Sequence, residues 1–202
     1  MTDTKERILQ TALRLFAAQG YEAVSVSVIA GEMGMTKGAL YKHYENKRAI
    51  FEAILHRMEV QDALSAEVTG LPQDTLQNDP DSYRNIRFGD VLSFARAQFR
   101  YWTEDNFASL FRKMLTIEQY HSDEMSRLYQ QYLVAGPVGY MTDLYSAMGY
   151  ADARQKAVAF YAPMFLLYAL FDGADDKDDV MRLTDAVFES LAACPEKEAP
   201  LA

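Results

Sequence analysis

Residues 25–46, SVSVIAGEMGMTKGALYKHYEN, run straight into KRAIFEAIL at 47–55, and this stretch decides how the chain is read. Ile29, Met33, Met35 and Leu40 are apolar positions spaced to close over a small shared core, and Ala30 leaves room for a second helix to cross close by. Gly34 supplies the positive-φ residue that a sharp inter-helix turn needs. Thr36 falls where an N-cap is wanted, since its hydroxyl can accept one of the unpaired amide protons of the next helix. The spacing predicts two short helices joined by a tight turn.

A helix–glycine–helix corner is common in all-α proteins, so the corner alone assigns no function. The next residues carry more. From 36 to 48 there are four basic residues (Lys37, Lys42, Lys47, Arg48) against one acidic, Glu45, with Tyr41, His43 and Tyr44 interleaved. Ammonium groups and tyrosine hydroxyls donate to phosphate oxygens, and small residues such as Gly38 and Ala39 let a backbone approach a groove. This chemistry suits a helix lying in the major groove of duplex DNA.

These residues also carry a resemblance. GMTKGALYKHYENKRAIFEAI, 34–54, resembles the recognition helix and helix-4 start of the TetR family of bacterial one-component regulators. The preceding ERILQTALRLFAAQGYEAVSVSVIAGEMG, 6–34, is similar to that family's helix 1, glycine–aromatic turn and helix 2. The match covers about the first 60 residues; beyond it, LFRKMLTIEQYHSDEMSRLYQQYL, 110–133, looks like part of some members' regulatory domains. The resemblance implies an all-α protein: an N-terminal three-helix helix-turn-helix module in 1–60, including the start of helix 4, and a larger helical ligand-binding and dimerisation domain in 61–202. It also implies a ligand-responsive regulator, a repressor, bound as a homodimer to a palindromic operator in double-stranded DNA and released by a small-molecule effector. Thr36, Lys37, Gly38, Tyr41, Lys42, His43 and Lys47 match the family's DNA-contacting positions, and Ser25 and Ser27 at the start of helix 2 would add phosphate contacts. Dimerisation follows from DNA geometry, because two recognition helices must reach successive major grooves about 34–36 Å apart.

Charge is divided in a way that fits this plan. The net charge is −9, but residues 1–60 hold eight Lys and Arg against seven Asp and Glu, while 61–202 hold twelve against twenty-two. The acidic part should repel DNA and leave binding to the N-terminal face. One cysteine, Cys194, excludes an internal disulfide and a cysteine-based zinc cluster. The polar start MTDTKERI carries no signal-peptide pattern. The longest apolar run, 157–171, is interrupted by Pro163 and too short to span a bilayer. The expectation is a soluble cytoplasmic protein with no membrane partner.

Helical patterns follow one another along the chain. Asp3 with Glu6 makes a capping-box-like start to a first helix ending at Gly20, with Ile8, Leu9, Ala12, Leu13, Leu15 and Phe16 on one face. A fourth helix starts near Asn46 and runs to about Ala66. Residues 70–85, with two prolines and many polar residues, read as a mobile loop. Further helices are expected over about 88–101 and 104–120. Ser122 caps the next, running to about Ala147 with a bend or break at Pro137, and the last two span about 151–171 and 178–193.

The run 157–171 is apolar all round, so it is either a dimer face or a helix wholly buried in one subunit. The resembling family packs its last two helices against the two-fold mate as a four-helix bundle. On that basis Phe160, Met164, Leu167, Phe171, Val187 and Leu191 are the expected interface. The middle helices are rich in aromatics, mostly core; a pocket for an apolar or aromatic effector would draw on the same lining, with Phe99, Trp102, Phe111, Gln119 and Tyr132 as its candidates.

Catalysis has little to stand on. His43, His56 and His121 form no metal or triad constellation, and no phosphate-binding glycine loop is present. The acidic loop 172–179 resembles a calcium site but lacks its sixth-position glycine, and Leu183 stands where the bidentate Glu belongs. No cofactor, no metal and no enzymatic activity are expected. The alternative from another class is an all-α dimer that binds a small molecule, or an enzyme on the same scaffold, without DNA binding.

Overall fold

Each helix begins and ends where side-chain chemistry dictates. The computed structural model of the chain describes residues 4–69, 71, 72 and 74–192. The elements in order are α1 (Thr4–Gln19), α2 (Val26–Glu32), α3 (Lys37–Tyr41), α4 (Lys47–Thr69), a 3₁₀ turn (Pro80–Tyr83), α5 (Phe88–Glu104), α6 (Asn106–Glu118), α7 (Asp123–Leu133), α8 (Ala135–Ala147), α9 (Ala153–Gly173) and α10 (Lys177–Ala192). The fold is all-α. Asp3 of the expected capping box, Gly70 and Cys194 lie outside the described residues. Ser25, Thr36, Asp105 and Ser122 each cap a helix by accepting the N–H three residues on. Asn46 does the same for α4, accepting the Ala49 N–H at 2.8 Å.

The chain forms two compact units. The first joins Met1–Val68 with Glu104–Ala135; the second joins Thr69–Thr103 with Gly136–Ala202. In the first, α1 turns Ile8, Leu9, Ala12, Leu13, Leu15 and Phe16 inward, as its spacing predicts. Against α1 lies α6, burying Phe107, Phe111, Met114 and Leu115, and α4 adds Ile50, Phe51, Ile54 and Met58. Each such Leu, Ile, Met or Phe side chain contributes about 1.5–3 kcal/mol by leaving water. Thus α6 and α7, which the sequence divides from the helix-turn-helix at residue 60, group with it by packing.

In the second unit, α9 and α10 pack together. The expected mobile loop is anchored there: Tyr83 is buried and donates its hydroxyl to the Asp74 carbonyl at 2.8 Å, and the Leu76 N–H donates to Asp143 Oδ2 at 3.0 Å. Burial, with Asp143 and Asp74 nearby, pushes the Tyr83 hydroxyl up to about 12. A polar composition predicted a loop correctly but hid this one aromatic anchor.

The break expected at Pro137 falls earlier, between Leu133 and Ala135. Proline has no N–H for the carbonyl four residues back, and its ring crowds that carbonyl. The residue four back is Leu133, where α7 ends, and Pro137 is then tolerated in the first turn of α8.

Candidate nucleic-acid interface

The corner between α2 and α3 is built from backbone hydrogen bonds. Gly34 takes φ +66°, its N–H donates to Gly31 O at 3.0 Å, and the Met35 N–H donates to Ala30 O at 2.9 Å. This pair closes the end of α2 upon itself. Thr36 then starts α3, its hydroxyl accepting the Ala39 N–H at 3.1 Å. Ile29, Ala30 and Leu40 are buried at the crossing, while Met33 and Met35 are half-buried.

With Leu40 facing the core, the outer side of α3 carries the polar residues. Thr36, Lys37, Gly38, Tyr41 and Lys42 are exposed, as are Ser25 and Ser27 at the start of α2; His43 is half-buried. Lys37 Nζ lies 5.6 Å from the Tyr41 ring centroid, a cation–π contact that holds both side chains outward. No added Cβ at Gly38 would meet anything within 4 Å, so the glycine leaves open surface there. Ser25 keeps its hydroxyl proton available, because the hydroxyl oxygen accepts in the cap at 3.2 Å from Val28 N.

Lys47 and Arg48 behave differently from the other basic residues. Lys47 Nζ donates to the Tyr21 carbonyl at 2.8 Å and to the Glu22 carbonyl at 3.4 Å, and lies 4.1 Å from the Tyr21 ring centroid. Its side chain is 22% exposed, so much of its capacity is already committed to the α1–α2 turn. Arg48 is gripped by Glu124 through two 2.7 Å hydrogen bonds and by Glu52 at 2.8 Å. Hydrogen bonds to Glu124 and Glu52 push the guanidinium pKa up, and the same bonds hold the Glu124 carboxyl below its ordinary range. Counting positive charge along the sequence could not distinguish these two from Lys37 and Lys42.

The candidate effector residues fall into separate sets. Phe99 and Trp102 are buried in the second unit, where Phe99 stacks on Tyr168 at 5.3 Å and meets Phe171 edge-on at 6.2 Å. Phe111 and Tyr132 are buried in the first unit, edge to face at 5.0 Å. Gln119 is half-buried in the first unit and donates to the Thr116 carbonyl at 2.9 Å.

The expected dimer residues divide by burial. Phe160, Met164, Leu167 and Phe171 are buried within the chain itself and belong to its core. Val187 and Leu191 are half-buried. The outward face of α9 is instead Val158, Ala162, Phe165, Leu166, Ala169 and Leu170, with Leu183 of α10 also exposed. Both faces of α9 are apolar, so hydrophobicity alone could not tell which one looks inward.

An all-α protein with an N-terminal helix–turn–helix module is the class this architecture defines. The chain matches the family model for bacterial regulatory proteins, tetR family, over residues 8–54. It is 46% identical over 50 residues to the uncharacterized HTH-type transcriptional regulator YerO of Bacillus subtilis, covering 25% of this chain and 17% of that protein. It is 30% identical over 97 residues to the class C tetracycline repressor protein of Escherichia coli, covering 48% and 40%. The chain thus spans less than half the length of these curated relatives. Among solved structures, SmeT, the repressor of the Stenotrophomonas maltophilia multidrug efflux pump SmeDEF, aligns over 100% of this chain and 94% of its own. Its TM-score is 0.61 at 20% identity, a likeness of fold. A SmeT–triclosan complex aligns with TM-score 0.63 at 19% identity, over 98% of this chain and 99% of that one. Among the described residues, no helix is long and apolar enough to cross a membrane.

Proposed function

We propose that the chain is a cytoplasmic transcriptional regulator, a repressor without enzymatic activity, that binds a palindromic DNA operator as a homodimer and is released by an apolar or aromatic effector. The observation that carries this reading is the outer side of α3. A capped helix, launched from a tight glycine turn, presents Thr36, Lys37, Gly38, Tyr41 and Lys42 together on open surface. Lys37 and Lys42 supply charge for phosphates, Tyr41 a hydroxyl donor, and Thr36 and Gly38 the small, close-approach positions that a groove requires. Ser25, Ser27 and His43 extend the contact on either side, and Lys47 reinforces it mainly by holding the α1–α2 turn.

The two-fold partner is assigned to the exposed apolar face of α9 and to Leu183. Such a stripe left in water is a site for association, and a dimer is what a palindromic operator requires, since two recognition helices must reach successive major grooves. The effector is assigned to the region beyond residue 60, where aromatic clusters such as Phe88–Tyr145–Phe160 and Phe99–Tyr168–Phe171 supply suitable lining. SmeT, of similar fold, is known as a complex with triclosan. Release by an effector requires the DNA-free form to bind it more tightly than the DNA-bound form does. By linkage, operator must then weaken effector binding by the same factor.

The test is selection of duplexes from a random library by the full-length chain, followed by a salt titration of the enriched sequence. An inverted repeat whose affinity falls steeply with salt supports the reading. Enrichment of no sequence, with no salt-dependent retention on random duplex, favours the all-α small-molecule binder instead.

A further inference from the structure

Among the described residues, three helices end on a glycine with positive φ: α1 at Gly20, α2 at Gly34 and α8 at Gly149. Two of these ends close upon themselves. The N–H of the residue after the glycine returns to its own helix, Met35 to Ala30 O at 2.9 Å and Tyr150 to Tyr145 O at 3.1 Å. At the third end the loop is open. Gly20 N–H takes the Phe16 carbonyl at 2.9 Å, and the Tyr21 N–H instead donates at 2.8 Å to Glu118 Oε1, on the last residue of α6.

Glu118 is 2% exposed, a depth at which a carboxylate persists only with donors around it. Its other oxygen lies 3.2 Å from His121 Nδ1. A Cβ on Gly20 would stand 2.8 Å from Glu118 Oε1, so glycine is required both for its backbone angle and for the notch the carboxylate fills. Tyr21 itself is held from every side: N–H by Glu118, carbonyl by Lys47, and ring between Phe16 and Phe51, each at 5.1 Å. Just beyond, Glu124 at the start of α7 grips Arg48 at the start of α4.

We propose that Glu118 is a positioning residue for DNA binding: through the Tyr21 N–H, the end of α6 fixes the turn that launches α2, and with it the presentation of α3. This rests on the DNA-binding reading above and adds to it a route from α6 to the helix-turn-helix through the α1–α2 turn. Glu118 touches no DNA in this scheme. Its effect is on the affinity of every duplex that the folded α2–α3 corner recognises.

Two conservative variants separate reach from charge. Glu118→Gln keeps an acceptor oxygen at the same reach and removes the charge; Glu118→Asp keeps the charge and withdraws the oxygen by one methylene. The full-length proteins are titrated with a duplex enriched from a random library by wild type, and Tyr21 amide exchange is followed by NMR. The expected result is affinity that tracks reach. Gln binds within about threefold of wild type, whereas Asp binds about tenfold more weakly, the scale of one unmade hydrogen bond to a buried group. Tyr21 amide exchange is faster in the Asp variant, and the slope of log affinity against log salt is unchanged, since no phosphate contact is lost. Equal affinities for wild type and Asp, or a Gln variant more than tenfold weaker, overturn the proposal. If Asp fails to fold by circular dichroism, the Gln variant and its Tyr21 amide decide by the same limits. A wild type that enriches no duplex overturns the DNA-binding reading and this proposal together; wild-type binding that the Asp variant equals overturns this proposal alone.

Discussion

The α2–α3 corner and α9 solve the same problem, which side faces the core, with opposite materials. In the corner, apolar Ile29 and Leu40 are buried while Thr36, Lys37 and Lys42 are exposed, so polarity and burial agree. In α9 they part: Phe160, Met164 and Leu167 are buried, yet Phe165, Leu166 and Leu170 are just as apolar and stand in water. Where polarity and burial agree, the surface is finished for solvent or for a charged partner. Where they disagree, the surface is of the kind that marks an association site.

The contrast is tested most severely by two adjacent leucines. Leu167, 2% exposed, should not accept a charge: Leu167→Glu is expected to destabilise the fold by about 3–5 kcal/mol, read as a lowered midpoint in chemical denaturation. Leu166, 64% exposed, should accept one with little change in subunit stability, about 0.5 kcal/mol or less. Leu166→Glu is instead expected to turn dimers into folded monomers in sedimentation and to abolish binding to an inverted repeat. A Leu166→Glu protein that remains dimeric would show that α9 does not carry the two-fold contact.

A smaller effect distinguishes two lysines. Lys47→Ala removes a charged donor from the Tyr21 and Glu22 carbonyls and is expected to cost about 1–2 kcal/mol of stability. Lys42→Ala should leave stability unchanged and reduce the salt slope of DNA binding by about 0.9, one phosphate's worth of counterions. Identical behaviour of the two variants would erase the distinction between the inward and outward lysine.

The smallest effect concerns acid. The folded-state pKa of Glu124 lies below its unfolded value because Arg48 hydrogen-bonds the carboxylate. Stability from the pair is therefore complete above the ordinary carboxyl range and is lost as pH falls through the depressed folded value. For an exposed pair of this kind the contribution is about 0.2–1 kcal/mol. Glu124→Gln should lower stability by that amount at neutral pH and converge on wild type in acid. A difference that persists unchanged below that range means Glu124 acts by packing alone.

These differences also mark what could be read from sequence. Gly34, Thr36 and Ser122 were legible because turns and caps depend on the residue that occupies them, whatever lies elsewhere in the fold. The side of α9 was not, because a helix apolar all round has periodicity without a phase. Along the sequence Lys47 and Arg48 look no different from Lys37 and Lys42, because their partners, Tyr21, Glu22 and Glu124, become neighbours only through tertiary packing. Glu118 was invisible for the same reason: a lone glutamate at a helix end looks solvated until the glycine notch opposite is known. The stop of α7 could have been placed correctly by counting four residues back from Pro137, a rule of the backbone that needs no tertiary information.

The first unit is assembled from two separated stretches of chain, Met1–Val68 and Glu104–Ala135. A ribosome that has finished the helix-turn-helix has therefore not yet made the helix that covers α1. At about 5–20 residues per second, the second stretch is completed several seconds to over ten seconds after the first. During that interval α1, with Ile8, Leu13 and Phe16, waits without its cover from α6, and Tyr21 waits without Glu118. The α2–α3 corner closes through its own local hydrogen bonds, but the turn that launches α2 lacks its brace until Glu118 has been synthesised.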